Sequence, residues 1–234
     1  RVRPQIDKNN EKFDIEAAVK FDDCTVMLSN VGSGQVQAKR QAFTFDYIWD
    51  RDNSQEDIYE EGVMDLVDDV LDGTNATAMC YGQTGSGKTF TALGFVNHNP
   101  LSGSDLGLVA RDTGMYLRIF RDLLLCKKRK KHQQHILFSL SVVEVYNEQV
   151  RDLLSRQDIG NSEVQVVMTD DEVKMPNLTE VEISNLEDAF RCYKIAMQKR
   201  SARSTAMNDA SSRSHALLLI NVYRQQVTPS SPAP

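Results

Sequence analysis

No apolar run in this chain approaches the 18 or so residues that a membrane-crossing helix needs, so no such span and no membrane contact is expected. Cysteine is scarce: Cys24, Cys80, Cys126 and Cys192 stand far apart and form no C-x-x-C pair. That spacing excludes a zinc ribbon and a disulfide framework, and reduced, buried cytosolic thiols are the expectation. His98, His132 and His135 have no ligand spacing to any cysteine or carboxylate cluster, so no metal-binding motif is read there. A basic excess is also missing. With Lys and Arg at 27 against Asp and Glu at 33, the net charge is −6, which argues against nucleic acid as a partner. There is no signal peptide after Arg1-Val2-Arg3-Pro4, which runs into polar sequence. The chain also does not begin with Met, which leads us to expect a segment upstream.

What is present is the ordinary balance of a globular protein. The 234 residues are 41% hydrophobic and 26% charged, enough for one sizeable core. Phe43 to Ile48 alternates aromatic and polar residues like a strand with one buried face. Ser54 and Asp57 form a capping box that opens a helix, along which Val63, Leu66, Val67, Val70 and Leu71 draw an apolar stripe before Gly73 stops it. Ala76 to Tyr81 is a short run without charge, read as a buried parallel strand. Residues 94–107 read as a loop. Tyr116, Ile119, Phe120, Leu123 and Leu124 give a second amphipathic helix, and Lys127–Lys131 read as a solvated basic loop. Ile136 to Tyr146 is the longest strand candidate, and residues 164–183 read as short strands around Thr169-Asp170-Asp171. Ser184 with Glu187 opens a further helix, Ala216 to Val222 closes the series as a strand, and residues 227–234 are expected to be a disordered tail. Strands alternating with helices argue for an α/β fold, a central mixed sheet with helices on both faces.

The segment Gly82-Gln83-Thr84-Gly85-Ser86-Gly87-Lys88-Thr89 fits G-x-x-x-x-G-K-[ST]. Backbone N–H groups must converge on a polyphosphate, and Gly85 and Gly87 let the chain take positive φ and approach closely. The helix expected from Lys88 adds unpaired N–H groups and the positive end of its dipole. Lys88 is placed to reach the β- and γ-phosphates of ATP and the Thr89 hydroxyl to ligate Mg2+. The bare pattern arises by chance roughly once in a hundred chains of this length.

A second polar segment, Asn208-Asp209-Ala210-Ser211-Ser212-Arg213-Ser214-His215, lies between a helix and the last strand. Neighbouring hydroxyls can donate to a γ-phosphate and accept from a water, and an Arg beside them can hold a carboxylate. Alone it is a polar loop like many others; with the phosphate loop it reads as a switch.

Together, Tyr81–Thr89 and Asn208-x-x-Ser211-Ser212-Arg213-Ser214-His215 resemble the kinesin motor domain. So do Arg1-Val2-Arg3-Pro4, Phe43-x-Phe45-Asp46, Leu71-Asp72-Gly73-x-Asn75-Ala76 and Val145-Tyr146-Asn147-Glu148-x-Val150-x-Asp152-Leu153-Leu154. The likeness covers nearly the whole chain, residues 1–226, in the family's order, and is thinnest across 5–42 and 95–135. It implies a P-loop NTPase-type fold and a microtubule-based motor ATPase of the cytoplasmic cytoskeleton, with any dimerisation outside these residues. Arg3 and Pro4 would flank the adenine and Phe90 would stack on its other side. Gln83, Thr84 and Ser86 would belong to the loop around the phosphates, with Asn208 alongside. Ser211 and Ser212 would hold the γ-phosphate, the Mg2+ shell and the lytic water, with Ser211 beside Thr89 at the metal. Arg213 would pair with a Glu of a second switch, and residues 164–183 would give a minor microtubule contact.

No D-x-x-G-S-E follows residue 222. The resemblance therefore leads us to expect a motor domain without its second switch and main microtubule-binding helices. Arg203 also stands where the family usually has a small residue. An alternative reading is a nucleotide-binding fragment without motor turnover. The expected outcome for these 234 residues alone is very slow phosphate release from ATP, with little acceleration by microtubules; strong stimulation in a steady-state phosphate assay would contradict it.

Overall fold

The computed structural model describes residues 1–2, 19–22, 24–30, 39–50, 52–94, 110–132, 134–157, 162–170, 172–206 and 213–226. The chain divides into two compact units, Arg1–Ile58 and Tyr59–Pro234. Arg3, Pro4, Asn208, Ser211, Ser212 and the 227–234 tail, together with the 95–107 part of the expected loop, lie outside the described residues.

The first unit is built on an antiparallel meander of β1 (Val19–Phe21), β2 (Thr25–Asn30) and β3 (Lys39–Thr44). Asp22 shapes the β1–β2 turn: its Oδ1 accepts from the N–H of Cys24 at 3.1 Å and of Thr25 at 2.6 Å. These bonds hold its carboxyl below the usual carboxylate range. The strand expected over Phe43–Ile48 is corrected here. The ladder ends at Thr44, and Phe43, Phe45 and Tyr47 are exposed. Alternation shows which side chains share a face, but burial needs a layer over that face. Instead Tyr47 stacks on Trp49 at 5.9 Å, and Val2 donates to the Trp49 carbonyl at 2.7 Å.

Helix α1 (Gln55–Gly62) opens with the expected capping box: Ser54 N–H donates to Asp57 Oδ2 at 2.7 Å, and Asp57 N–H to Ser54 Oγ at 3.1 Å. The single helix read through Leu71 is two, because the chain breaks at Val63 before α2 (Met64–Asp72). Gly73 ends α2 at φ 101°, its N–H reaching the carbonyls of Asp69 and Val70. Any other residue would be strained there.

In the second unit the spine is β4 (Gln134–Tyr146). Along one edge it pairs with β9 (His215–Gln226); along the other with β5 (Gln149–Asp152) and β8 (Val181–Glu182), all antiparallel. Helices α3 (Lys88–Leu93), α4 (Met115–Lys130) and α5 (Leu186–Ala206) complete the unit with the small hairpin β6 (Val167–Met168) and β7 (Val173–Lys174). Ile136, Phe138, Leu140 and Val142 stand on one face of β4 and share a core with Val67 and Leu71 of α2, Phe120 and Leu123 of α4, and Ala189 and Tyr193 of α5. Each large side chain so buried contributes about 2 kcal/mol. On the other face the Glu180 carboxylate accepts from Ser139, from Tyr223 at 2.6 Å and from Asn221 at 3.3 Å. This stitches β4 and β9 to the segment leading into β8, and the bonds hold its carboxyl below the usual range.

Three further expectations shift. Helix α5 is capped by Asn185, whose side chain accepts from Asp188 N–H at 2.9 Å, while Asp188 reaches back to Ser184 N–H. The box therefore sits one residue later than Ser184–Glu187. The basic run is not a loop: Lys127, Lys128, Arg129 and Lys130 form the last turn of α4, where positive charge suits the carboxyl end of the dipole. Of the thiols, Cys192 is buried, Cys80 and Cys126 are half-buried, and Cys24 is exposed.

The Val145–Leu154 motif has a local explanation. Asn147 and Glu148 both take positive φ, 49° and 61°, as a two-residue hairpin turn demands. Asp152, 3% exposed, then accepts from the N–H groups of Leu154 at 2.7 Å, Ser155 at 3.0 Å and Thr179 at 2.8 Å. One carboxylate thus satisfies three donors and ties β5 to the approach to β8. Asp152→Ala should lower stability by about 3 kcal/mol, since it strands those donors; a urea midpoint within error of wild type would contradict this.

Candidate nucleotide-binding site

The segment Ala76–Tyr81 delivers the chain to the phosphate loop, but not as the buried parallel strand expected. It belongs to no ladder among the described residues, and Met79 is 80% and Tyr81 93% exposed. A strand flanked on both edges needs partners that its own sequence does not contain. Cys80, half-buried just before the loop, has its thiol pushed up by burial.

The loop itself is built as the motif requires. Gly82, Gly85 and Gly87 have φ of 154°, 80° and 99°. A Cβ on Gly82 would stand 2.6 Å from Ser86 Oγ, so the turn closes only around glycine. Ser86 N–H donates to the Gln83 carbonyl at 3.1 Å. Gly87 in the left-handed region starts α3 at Lys88, and Thr91 N–H returns to the Gly87 carbonyl at 2.9 Å. The Lys88 ammonium donates to the carbonyls of Gly82 at 2.7 Å and Gln83 at 2.8 Å. It is therefore folded over the loop, compensated by the kind of oxygen acceptors a phosphate offers. Gln83, Thr84 and Thr89 are exposed, and Phe90, the third residue of α3, is half-buried.

The second motif enters the structure at its carboxyl end. Arg213 is exposed, Ser214 is buried and His215 starts β9 opposite Val145. Ser214 is held by Arg200 of α5, whose guanidinium also reaches Glu144 of β4. The resemblance implies that the helix Leu186–Arg200 links nucleotide state to loop position, but the meeting of Arg200 with Glu144 and Ser214 was missed. A signal was available: Glu144 is the one charge in the strand run 136–145, and an ionised group inside a sheet demands a partner.

A glycine-bound loop before a short helix, with its lysine turned onto the loop and an α/β core behind it, defines a phosphate-binding nucleotide site. The family model for the kinesin motor domain matches residues 1–233, and the chain belongs to that family. It is 33% identical over 228 residues to kinesin-like protein KIN-14H of Arabidopsis thaliana, covering 97% of this chain and 20% of that protein. It is 29% identical over 229 residues to chromosome-associated kinesin KIF4 of Xenopus laevis, covering 97% of this chain and 17% of that protein. A solved structure of a fast kinesin superposes with a TM-score of 0.74 at 26% identity, over 96% of this chain and 58% of that one. The chain thus spans about a fifth of the curated relatives' length. The fold class read from the sequence, an α/β P-loop motor fold, agrees with this neighbour.

Lys88→Ala should weaken ATP binding by at least tenfold, because the cation held over the loop carbonyls is removed. A fluorescence titration giving wild-type affinity would refute the phosphate-loop assignment.

Proposed function

We infer that this chain is the nucleotide-binding part of a microtubule motor ATPase, which couples ATP hydrolysis to movement along microtubules. The observation that carries the reading is the phosphate loop, with positive φ at Gly82, Gly85 and Gly87 and Lys88 folded over its carbonyls. Lys88 would exchange Gly82 and Gln83 carbonyl oxygens for β- and γ-phosphate oxygens, and the N–H groups of Gly85 to Thr89 would surround the β-phosphate. Gln83, Thr84 and Ser86 shape that turn. The Thr89 hydroxyl, with Ser211, would hold Mg2+. When bound, the ion would supply positive charge that offsets the charge of the phosphates. Arg3, Pro4 and Phe90 would enclose the adenine, and Asn208 would lie beside the phosphates.

Phosphoryl transfer asks the protein for positioning and charge stabilisation rather than covalent chemistry. Ser211 and Ser212 would therefore act after binding, orienting the γ-phosphate and the attacking water, with Arg213 joined to a carboxylate that steadies the segment. The partner would be the microtubule and the setting the cytoplasmic cytoskeleton.

In the full-length polypeptide, Ser212→Ala should keep nucleotide affinity near wild type, which Lys88 and the loop N–H groups dominate. It should slow single-turnover hydrolysis by a factor on the order of 10², about 3 kcal/mol of barrier. Lost affinity with preserved turnover would make Ser212 a binding contact and reject its role in the chemical step.

A further inference from the structure

We propose that Arg200 is a positioning residue for ATP turnover, acting through Ser214 rather than on the nucleotide. The inference rests on the reading of Asn208–His215 as the phosphate-sensing segment. Arg200 lies on α5, and its guanidinium makes three hydrogen bonds to one residue: Nε to Ser214 Oγ at 3.3 Å, and Nη2 to Ser214 Oγ at 3.1 Å and to the Ser214 carbonyl at 3.0 Å. The same Nε reaches Glu144 Oε1 at 3.4 Å, where the carboxylate side chain is 4% and the guanidinium side chain 16% exposed.

The physical reason for the arrangement is the buried carboxylate. Glu144 stands on the face of β4 that carries the core, and an ionised group there is tolerated only with a cation and further hydrogen bonds. Arg200 supplies the cation, and the planar fork of its guanidinium leaves N–H groups that must find acceptors of their own. Ser214 provides two. The ladder fixes the other side, since Ala216 lies opposite Glu144 and His215 opposite Val145. Ser214 is thus pinned just where β9 leaves the sheet, and Arg213 is held one residue further on. The guanidinium joins α5, β4 and the head of β9 at one point, so the carboxyl end of the switch motif cannot shift relative to the helix without breaking charge-assisted bonds. A misplacement of reacting groups by about 1 Å can cost roughly 10²-fold in rate, whereas binding through Lys88 and the loop is untouched.

The test uses the full-length polypeptide and three readouts: affinity for a fluorescent ATP analogue, single-turnover phosphate release, and backbone hydrogen exchange over residues 213–216. R200A should bind nucleotide within about twofold of wild type, release phosphate roughly 10- to 100-fold more slowly and exchange faster at 213–216. R200K, which keeps the charge but not the fork, should recover part of the rate. S214A retains the bond from Arg200 to the Ser214 carbonyl and should lose less than R200A. Because R200A leaves Glu144 buried without this cation, the double variant E144Q and R200M removes both charges at similar volume and should show the same slow release in a folded protein. Normal release and normal exchange in either variant overturns the proposal, as does an equal loss of affinity and rate with the melting temperature. Failure of the nucleotide reading shows elsewhere, as wild-type protein that binds no ATP or K88A that binds it normally. In that case the exchange at 213–216 still decides whether Arg200 fixes the segment.

Discussion

The pairing of β4 with β9 is the constraint on which the second unit depends. β9 runs for 12 residues against β4, from Val145 opposite His215 to Gln134 opposite Gln226. Because side chains alternate, this register puts Ile136, Phe138, Leu140 and Val142 under α4 and α5 and leaves Ser139 and Asn221 to share Glu180 on the other side. A slip by one residue would invert both faces, burying polar groups and exposing the apolar set. The same register delivers Ser214 to the side of Glu144. The strand that makes the core thereby also fixes where the second motif begins.

Buried polar groups in this unit recur at loops rather than at random. Asp152 gathers three N–H donors around the connections on either side of residues 155–178. Arg118, 1% exposed, donates to the carbonyls of Thr113 and Arg111 and so holds the turn into α4. Arg200 does the same for the head of β9. Each group gains enough from its bonds to offset desolvation only while the loop keeps one shape. Apolar packing, which is tolerant of small shifts, could hold the elements together but could not specify these connections so narrowly.

This division explains what could be read from the sequence. Features made by residues near each other in the chain were legible: the Ser54–Asp57 box, Gly73 as a stop, the turn signal at Thr169-Asp170-Asp171 between two short strands and the glycine pattern of the phosphate loop. Features that need a distant partner were not. Ala76–Tyr81 has the composition of a doubly flanked strand, but composition records what a segment requires and not whether its neighbours are present. Phe43–Ile48 failed in a related way, since alternation did not reveal that Phe43, Phe45 and Tyr47 stay exposed. Lys127–Lys131 was misread for a different reason: a charge run says loop or solvated face equally well, and Lys127–Lys130 continue α4 one turn past its buried stripe. Arg200 and Glu144 are 56 residues apart in sequence, and only the ladder shows that they meet.

The two motifs consequently place different demands on the rest of the fold. The phosphate loop is closed by bonds within six residues, from Lys88 back to Gly82. Its geometry follows from glycine and from the helix it opens, so it can form wherever that helix is supported; Leu93, buried in the core, supplies the support. The second motif has no such autonomy. Its carboxyl end is set by a helix and a strand from separate parts of the chain and by the salt bridge between them. A site that must bind a nucleotide in every state benefits from a local, preorganised cradle. If the second motif responds to the γ-phosphate, as we propose, its position must be linked to larger elements, since only then can a change at one atom be felt along α5 and β9. In that proposal the bonds of Arg200 to Ser214 and Glu144 are the linkage, and they lie against the sheet's central strand rather than within the loop.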